Sequence, residues 1–211
     1  MPQSCILFFL KYPEAGRVKT RLARAVGDAA AEVAFRWMVE TCWSRAESSE
    51  WKRQVVGAPS SKLADFSKWL PGSERPHAQP SGSLGDRLSD GIQNAFNLGF
   101  SKVVCVGGDC PSLDYSHYSM AFEALDTHDV AIIPAQDGGY VSIGCRDPQP
   151  ELFEKIAWST HLVFEQTIER AQSLGLTVWV GETLPDIDTL TDWQESIVHQ
   201  FPDAPSLKIH A

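Results

Sequence analysis

The chain has 211 residues, 43% of them hydrophobic and 21% charged, enough for one α/β domain with a full core and no metal or disulfide staples. A net charge of −9 argues against nucleic acid as the main partner, since a phosphate backbone calls for a basic face, but leaves room for a small phosphorylated ligand held by a few cations. The five cysteines (Cys5, Cys42, Cys105, Cys110, Cys145) are scattered with no CxxC pair, which argues against a zinc site or disulfide framework and suits reduced core thiols.

The first ten residues are too short for a signal peptide and lack a basic leader, and no apolar run approaches the roughly 20 residues of a bilayer span. A cytoplasmic protein is expected. Residues 5–10 form a continuous apolar run, predicted as a strand buried on both faces of a parallel sheet. Residues 11–16 follow as a turn punctuated by Pro13 and Gly16, and a helix is expected over 18–25, ended by Gly27. Asp28 is the expected N-cap of a second helix to about residue 48, in which Trp37 and Met38 keep helical spacing and read as core.

A strand is predicted over 53–58, a short helix over 60–70, and a loop over 71–83 with a brief edge strand near His77. Helix over 84–98, buried strand over 102–106 and helix over 112–126 come next. Strands over 129–134 and 140–145 flank Asp137-Gly138-Gly139, and the short connection between them implies an antiparallel element. A helix over 160–174, capped by Ser159 or Thr160, a strand over 177–180 and a last helix over 191–200 complete the chain. The tail 201–211 is expected to fray. This alternation predicts one domain over 1–211: a three-layer α/β/α sandwich with a mixed, mostly parallel sheet.

In such a sheet, ligands bind at the carboxyl ends of strands, where a loop meets a helix N-terminus whose free N–H groups favour an anion. Lys11, Gly16, Lys19 and Arg21 fall in the first such loop, and cations in a first helical turn oppose the helix dipole unless an anion joins them. The loop is neither a Walker A motif nor GxGxxG, so neither a P-loop NTPase nor a Rossmann dehydrogenase is supported. The second candidate, VVCVGGDCPSL, ends a buried strand in Asp109, a carboxylate suited to Mg²⁺ or Mn²⁺ beside a ligand that approaches Gly107 and Gly108. Cys110 follows without a nearby His partner that would mark a nucleophile. AQDGGY repeats the acid-plus-glycine pattern, with Asp137 placed to orient an acceptor or act as base. PDIDT brings Asp186 and Asp188 ahead of the last helix, with only one of the two expected to face the site. Trp158, in WST, is a candidate pocket wall.

In order, LKYPEAGRVKTRLA, GSLGDRL, VVCVGGDCPSL, IIPAQDGGYVSIG, WST and LPDIDT resemble the motifs of the glycosyltransferase-A-like proteins called selenodomain-associated transferase 1. The resemblance runs from about Ile6 to Trp193 and places the chain beside the nucleotide-diphospho-sugar transferases and sugar-phosphate nucleotidyltransferases. The first motif is also similar to that of phospholactate guanylyltransferases. The resemblance implies that Lys11, Gly16, Lys19 and Arg21 hold nucleotide phosphates and that Gln79, Gly85 and Arg87 hold the base. It implies Asp109 and Asp188 (or Asp186) as metal-side acids for Mg²⁺ or Mn²⁺, with Gly138, Gly139 and Trp158 on the acceptor side and Asp109, Asp137 and Lys19 as catalytic residues. The implied reaction is glycosyl transfer from a nucleotide-sugar donor to a small-molecule acceptor, with metal assistance at the diphosphate. The alternatives are nucleotidyl transfer from a nucleoside triphosphate to a small phosphorylated acceptor, with pyrophosphate release, and nucleotide binding without turnover.

Overall fold

The computed structural model describes residues 3–73 and 75–209. The elements begin with β1 (Ser4–Lys11), α1 (Thr20–Val26), α2 (Asp28–Arg45), β2 (Trp51–Ala58), α3 (Leu63–Trp69) and β3 (His77–Ala78). They continue with α4 (Leu84–Asn97), β4 (Lys102–Val106), α5 (Tyr115–Ala124), β5 (Val130–Pro134) and β6 (Tyr140–Cys145). The chain finishes with α6 (Val163–Ser173), β7 (Val178–Val180) and α7 (Leu190–Ser196).

The strands form one seven-stranded sheet in the order β3-β2-β1-β4-β6-β5-β7. β1 lies in parallel between β2 and β4, whereas β6 runs antiparallel to both its neighbours, β4 and β5. The sheet is therefore mixed, and the short 135–139 connection is the reason: it is too short for a crossover and returns β6 directly against β5.

Alternation along β1 feeds two cores. Ile6, Phe8 and Leu10 point into a layer with Leu22 of α1, Met38 of α2, Phe66 of α3, Tyr118 of α5 and Trp193 of α7. Cys5 and Leu7 point the other way, onto Leu88 and Ile92 of α4 and Ala171 of α6. Each fully buried Leu, Ile or Phe of these layers contributes roughly 1.5–3 kcal/mol over exposure, which explains why the run from Cys5 to Leu10 is apolar on both faces. Trp37 stacks edge-on to Trp193 and Phe201 at 5.5 Å each, so its place is the core.

The helix boundaries move where a side chain captures the chain ends. α5 starts at Tyr115, later than predicted, because Asp114 accepts the N–H groups of Ser116 and His117 and closes a capping box. α6 starts at Val163, and neither Ser159 nor Thr160 caps it. Thr160 instead donates its hydroxyl to the Ala157 carbonyl at 2.7 Å, which holds 157–160 as a turn. Thr189 caps α7 in a box with Asp192. In the tail, where fraying is expected, Phe201, Ala204 and Leu207 pack against the first core because the groove beside Trp37 and Trp193 offers apolar surface; residues 210 and 211 lie outside the described residues. Among the described residues, no helix is long and apolar enough to cross a membrane.

Candidate functional site

The loops after β1, β4 and β5 meet at one end of the sheet. The carboxylates come from two directions: Asp109 from the loop after β4, and Asp186 and Asp188 from an extended segment running beside β5. That segment is held by a parallel bridge from Ala135 to Leu184, by the Gln136 N–H on the Leu184 carbonyl at 3.1 Å, and by the Ile187 N–H on the Asp109 carbonyl at 2.9 Å. The cations come from the β1 loop.

At the centre lies the Lys19 ammonium. Its Nζ is 3.0 Å from Asp109 Oδ2 and 2.8 Å from Asp188 Oδ1, and Arg21 Nη1 reaches the other Asp188 oxygen at 3.1 Å. The Lys19 side chain is only 4% exposed. Burial alone would lower its pKa, but the Asp109 and Asp188 carboxylates outweigh burial and the net shift is upward, so the amine stays charged. Asp188 is likewise opposed by burial yet held below its ordinary value by Lys19 and Arg21. Lys19 adopts a left-handed backbone (φ 46°, ψ 47°) just before α1, a costly conformation for a residue with a Cβ. With only seven residues in α1, the loop's cations outweigh the helix end as an attraction for an anion.

Two cavities share this centre. The first, about 340 Å³, is lined by Lys11, Arg17, Lys19 and Arg21 with Gly107, Asp109 and Asp188, and by Phe9 and Phe35. The second, about 570 Å³, is lined by Asp109, Asp137, Asp186 and Asp188 with Gly139, Tyr140, Trp158 and His161. Arg21, Gly107, Asp109 and Asp188 line both, so the cavities are two halves of one cleft. Their charge differs. Four cations face two carboxylates in the first half, whereas four carboxylates face one guanidinium in the second.

Asp186 and Asp188 both line the second half, against the expectation that only one would. Residues two apart in an extended segment share a face, and the one between them, Ile187, is fully buried on the opposite side. Burial first, and then the nearby Asp137 and Asp188 charges, push the Asp186 carboxyl up to about 6. Burial pushes the Cys110 thiol up to about 12, which leaves it protonated and inert as a nucleophile.

Lys11, Lys19, Arg21, Asp109, Asp137, Gly139, Trp158 and Asp188 thus line the cleft as the sequence suggests. Gln79, Gly85 and Arg87 line neither half. The Gln79 amide donates to the Leu10 and Val56 carbonyls at 3.1 and 2.9 Å, tying β1 to β2, and its oxygen accepts from Arg87 at 3.4 Å. Gly85 is where α4 meets Trp158: a Cβ there would stand 2.8 Å from the indole and 2.7 Å from the Phe153 carbonyl. Gly16 turns the chain with φ 76° beside Asp28. Gly107 opens onto both halves, and Gly108 lines the first while packing so closely that a Cβ would strike Val39. Gly138 sits behind the second half at φ +89°, with the His161 carbonyl against it, and accepts the Phe164 N–H at 2.8 Å, so the DGG loop caps α6. Arg17, part of the basic turn the sequence points to, lines the first half with Lys19 and Arg21, whereas sequence reasoning missed Tyr140 and His161 as lining residues, although each lies in or beside a motif already singled out.

A divalent ion bridging Asp109 and Asp188, the pair the sequence puts first, would sit between their carboxylates. There the donor set does not fit it: the inner oxygens of both carboxylates are engaged by the Lys19 ammonium. Among the described residues, no group of three or more His, Cys, Asp or Glu is gathered to hold a metal ion.

The mixed seven-stranded α/β fold matches that of nucleotide-diphospho-sugar transferase structures. A provisionally named nucleotide-diphospho-sugar transferase from Desulfovibrio desulfuricans is 32% identical, with a TM-score of 0.88 over 98% of this chain and 90% of its own. Fold alone is shared with 4-diphosphocytidyl-2C-methyl-D-erythritol synthase from Anaerococcus prevotii, at 11% identity and a TM-score of 0.61 over 93% of this chain and 95% of that one. It is shared too with a CMP:2-keto-3-deoxy-manno-octonic acid synthetase complexed with CTP, at 13% identity and a TM-score of 0.57 over 91% and 95%. No curated protein matches. Residues 41–160 match the family described as uncharacterized protein conserved in bacteria (DUF2064), and the chain belongs to that family.

Proposed function

We propose that the protein is a nucleotide-using transferase that moves a glycosyl group from a nucleotide-diphosphate donor to an uncharged, hydroxyl-bearing small molecule. The observation that carries this reading is the division of charge along one cleft. A diphosphate suits the half with Lys11, Arg17, Lys19 and Arg21, where Arg17 and Arg21 offer two-pronged donors and Lys19 keeps a third N–H beyond its two carboxylate partners. As the sugar–phosphate bond breaks, these cations stabilise the charge that collects on the departing diphosphate. The acidic half repels a phosphorylated acceptor and suits a polyol laid against Trp158 and Tyr140. Asp186, with its carboxyl raised to about 6, is ionised at neutral pH and basic enough to take the proton of the attacking hydroxyl as the new carbon–oxygen bond forms.

The 32% identical Desulfovibrio protein, provisionally named a nucleotide-diphospho-sugar transferase, supports the donor class, and the ordered motifs support a place with the glycosyltransferase-A-like selenodomain-associated transferases. A cytoplasmic location suits the cysteines, all five of which are buried free thiols. The test is incubation with a panel of nucleotide sugars and neutral polyols, following nucleoside diphosphate release and the mass of the product. A glycosylated polyol is expected. Pyrophosphate release from a nucleoside triphosphate with a phosphorylated acceptor would refute glycosyl transfer in favour of nucleotidyl transfer, and saturable nucleotide binding with no product in either assay would mark a binding protein.

A further inference from the structure

We propose that the Lys19 ammonium is the resident cation of this site, standing where a divalent ion would bridge Asp109 and Asp188, so that the donor diphosphate binds without a metal. The inference rests on the nucleotide-phosphate reading above for its ligand, and on the geometry of three side chains for its substance. Nζ stands 3.0 and 2.8 Å from the two carboxylate oxygens that face each other across the cleft. A magnesium ion would need oxygens at about 2.0–2.1 Å and would have to occupy nearly the same point. The two cannot share it.

Three further features hold the lysine there. Its side chain is almost wholly buried, so withdrawal would strand a charge away from water unless another anion received it. Its backbone is left-handed, a strain tolerated where surrounding contacts over-determine it, and its carbonyl accepts the Ala23 N–H at 2.8 Å to start α1. The local charge is already balanced: Lys19 and Arg21 oppose Asp109 and Asp188, with Arg21 on the outer oxygen of Asp188. A divalent ion between Asp109 and Asp188 would add two positive charges directly against the buried ammonium. Removing the lysine reverses the situation, leaving two facing carboxylates and a gap between them.

Two measurements test this on the full chain. The first is titration calorimetry with uridine, guanosine, cytidine and adenosine diphosphates, in EDTA and in excess Mn²⁺. For any diphosphate that binds, affinities within about threefold of each other are expected, and a larger loss in EDTA would overturn the inference. If none binds in either condition, the phosphate-site reading has failed, and the second measurement still decides the inference. It is the electron paramagnetic resonance signal of free Mn²⁺ titrated with protein alone. Wild type should leave the signal unchanged, whereas Lys19→Met should take up one Mn²⁺ and lose it again when Asp109→Asn is added. One-to-one Mn²⁺ binding by wild type would overturn the inference without recourse to any variant. So would a folded Lys19→Met that takes up none.

Discussion

Asp186→Asn should make the protein more stable and less active, with the gain in stability growing from pH 3.8 to about 6 and full above that. The folded-state carboxyl is raised from an ordinary 3.8 to about 6, first by burial and then by Asp137 and Asp188. That is about two units, or ~3 kcal/mol at about 1.4 kcal/mol each. Asp186 is partly exposed, so solvent screening reduces this to about 1–2 kcal/mol. The sign follows from linkage. Below pH 3.8 both states hold the proton, and Asp186 costs nothing. Between 3.8 and about 6 the unfolded chain releases its proton while the folded protein keeps it, so stability falls as pH rises and levels off above about 6. Asparagine keeps the shape without the charge. For a domain of this size, the variant should therefore melt about 3–6 °C higher than wild type at pH 8 and no higher below pH 4. Thermal unfolding of both proteins across that range measures the difference, and product formation should fall by roughly 10²–10⁴ as the base is lost. A Tm difference that does not change with pH, or a less stable variant at pH 8, would refute both the burial of charge and the assignment of Asp186 as base.

Gln79→Ala removes the amide that bridges the Leu10 and Val56 carbonyls, and should cost about 1–3 kcal/mol in denaturant unfolding. The same variant should leave base preference in nucleotide binding unaltered; a changed preference would return Gln79 to the ligand. Gly138→Ala, at φ +89° and against the His161 carbonyl, should lower stability by more than about 1 kcal/mol and weaken acceptor use together, because the DGG loop and the start of α6 shift as one. An unchanged Tm would count against that coupling. Trp158→Ala should raise the acceptor KM while diphosphate affinity, read by calorimetry, stays as it was, since Trp158 lines only the acidic half of the cleft.

Much of the architecture was legible in order along the chain. The run from Cys5 to Leu10 reads as a doubly buried strand because both faces of β1 are covered, and the short 135–139 connection forces β6 back against β5. Helix starts were less legible, since Asp114 and Thr160 decide them by local hydrogen bonds that compete with helix propensity. Asp109, Asp137 and Asp188 could be singled out because each pairs a carboxylate with a strand end or a helix start, a local signal. Gln79 and Gly85 could not be placed: whether an amide faces a ligand or two carbonyls depends on strands far away in sequence.

What the sequence determined by itself is therefore whatever depends on near neighbours: strand and helix periodicity, the basic turn at 17–21, and acids at the ends of apolar runs. What only the tertiary structure decided is which charges meet. Lys19 and Asp188 lie 169 residues apart, yet form a 2.8 Å contact because the Leu184–Asp188 segment is hydrogen-bonded alongside β5 and onto the β4 loop. Coulomb interaction reads distance in space and not along the chain. The placement of one ammonium between two carboxylates, and with it the partition of the cleft into a cationic and an acidic half, arises only when the sheet brings three loops together.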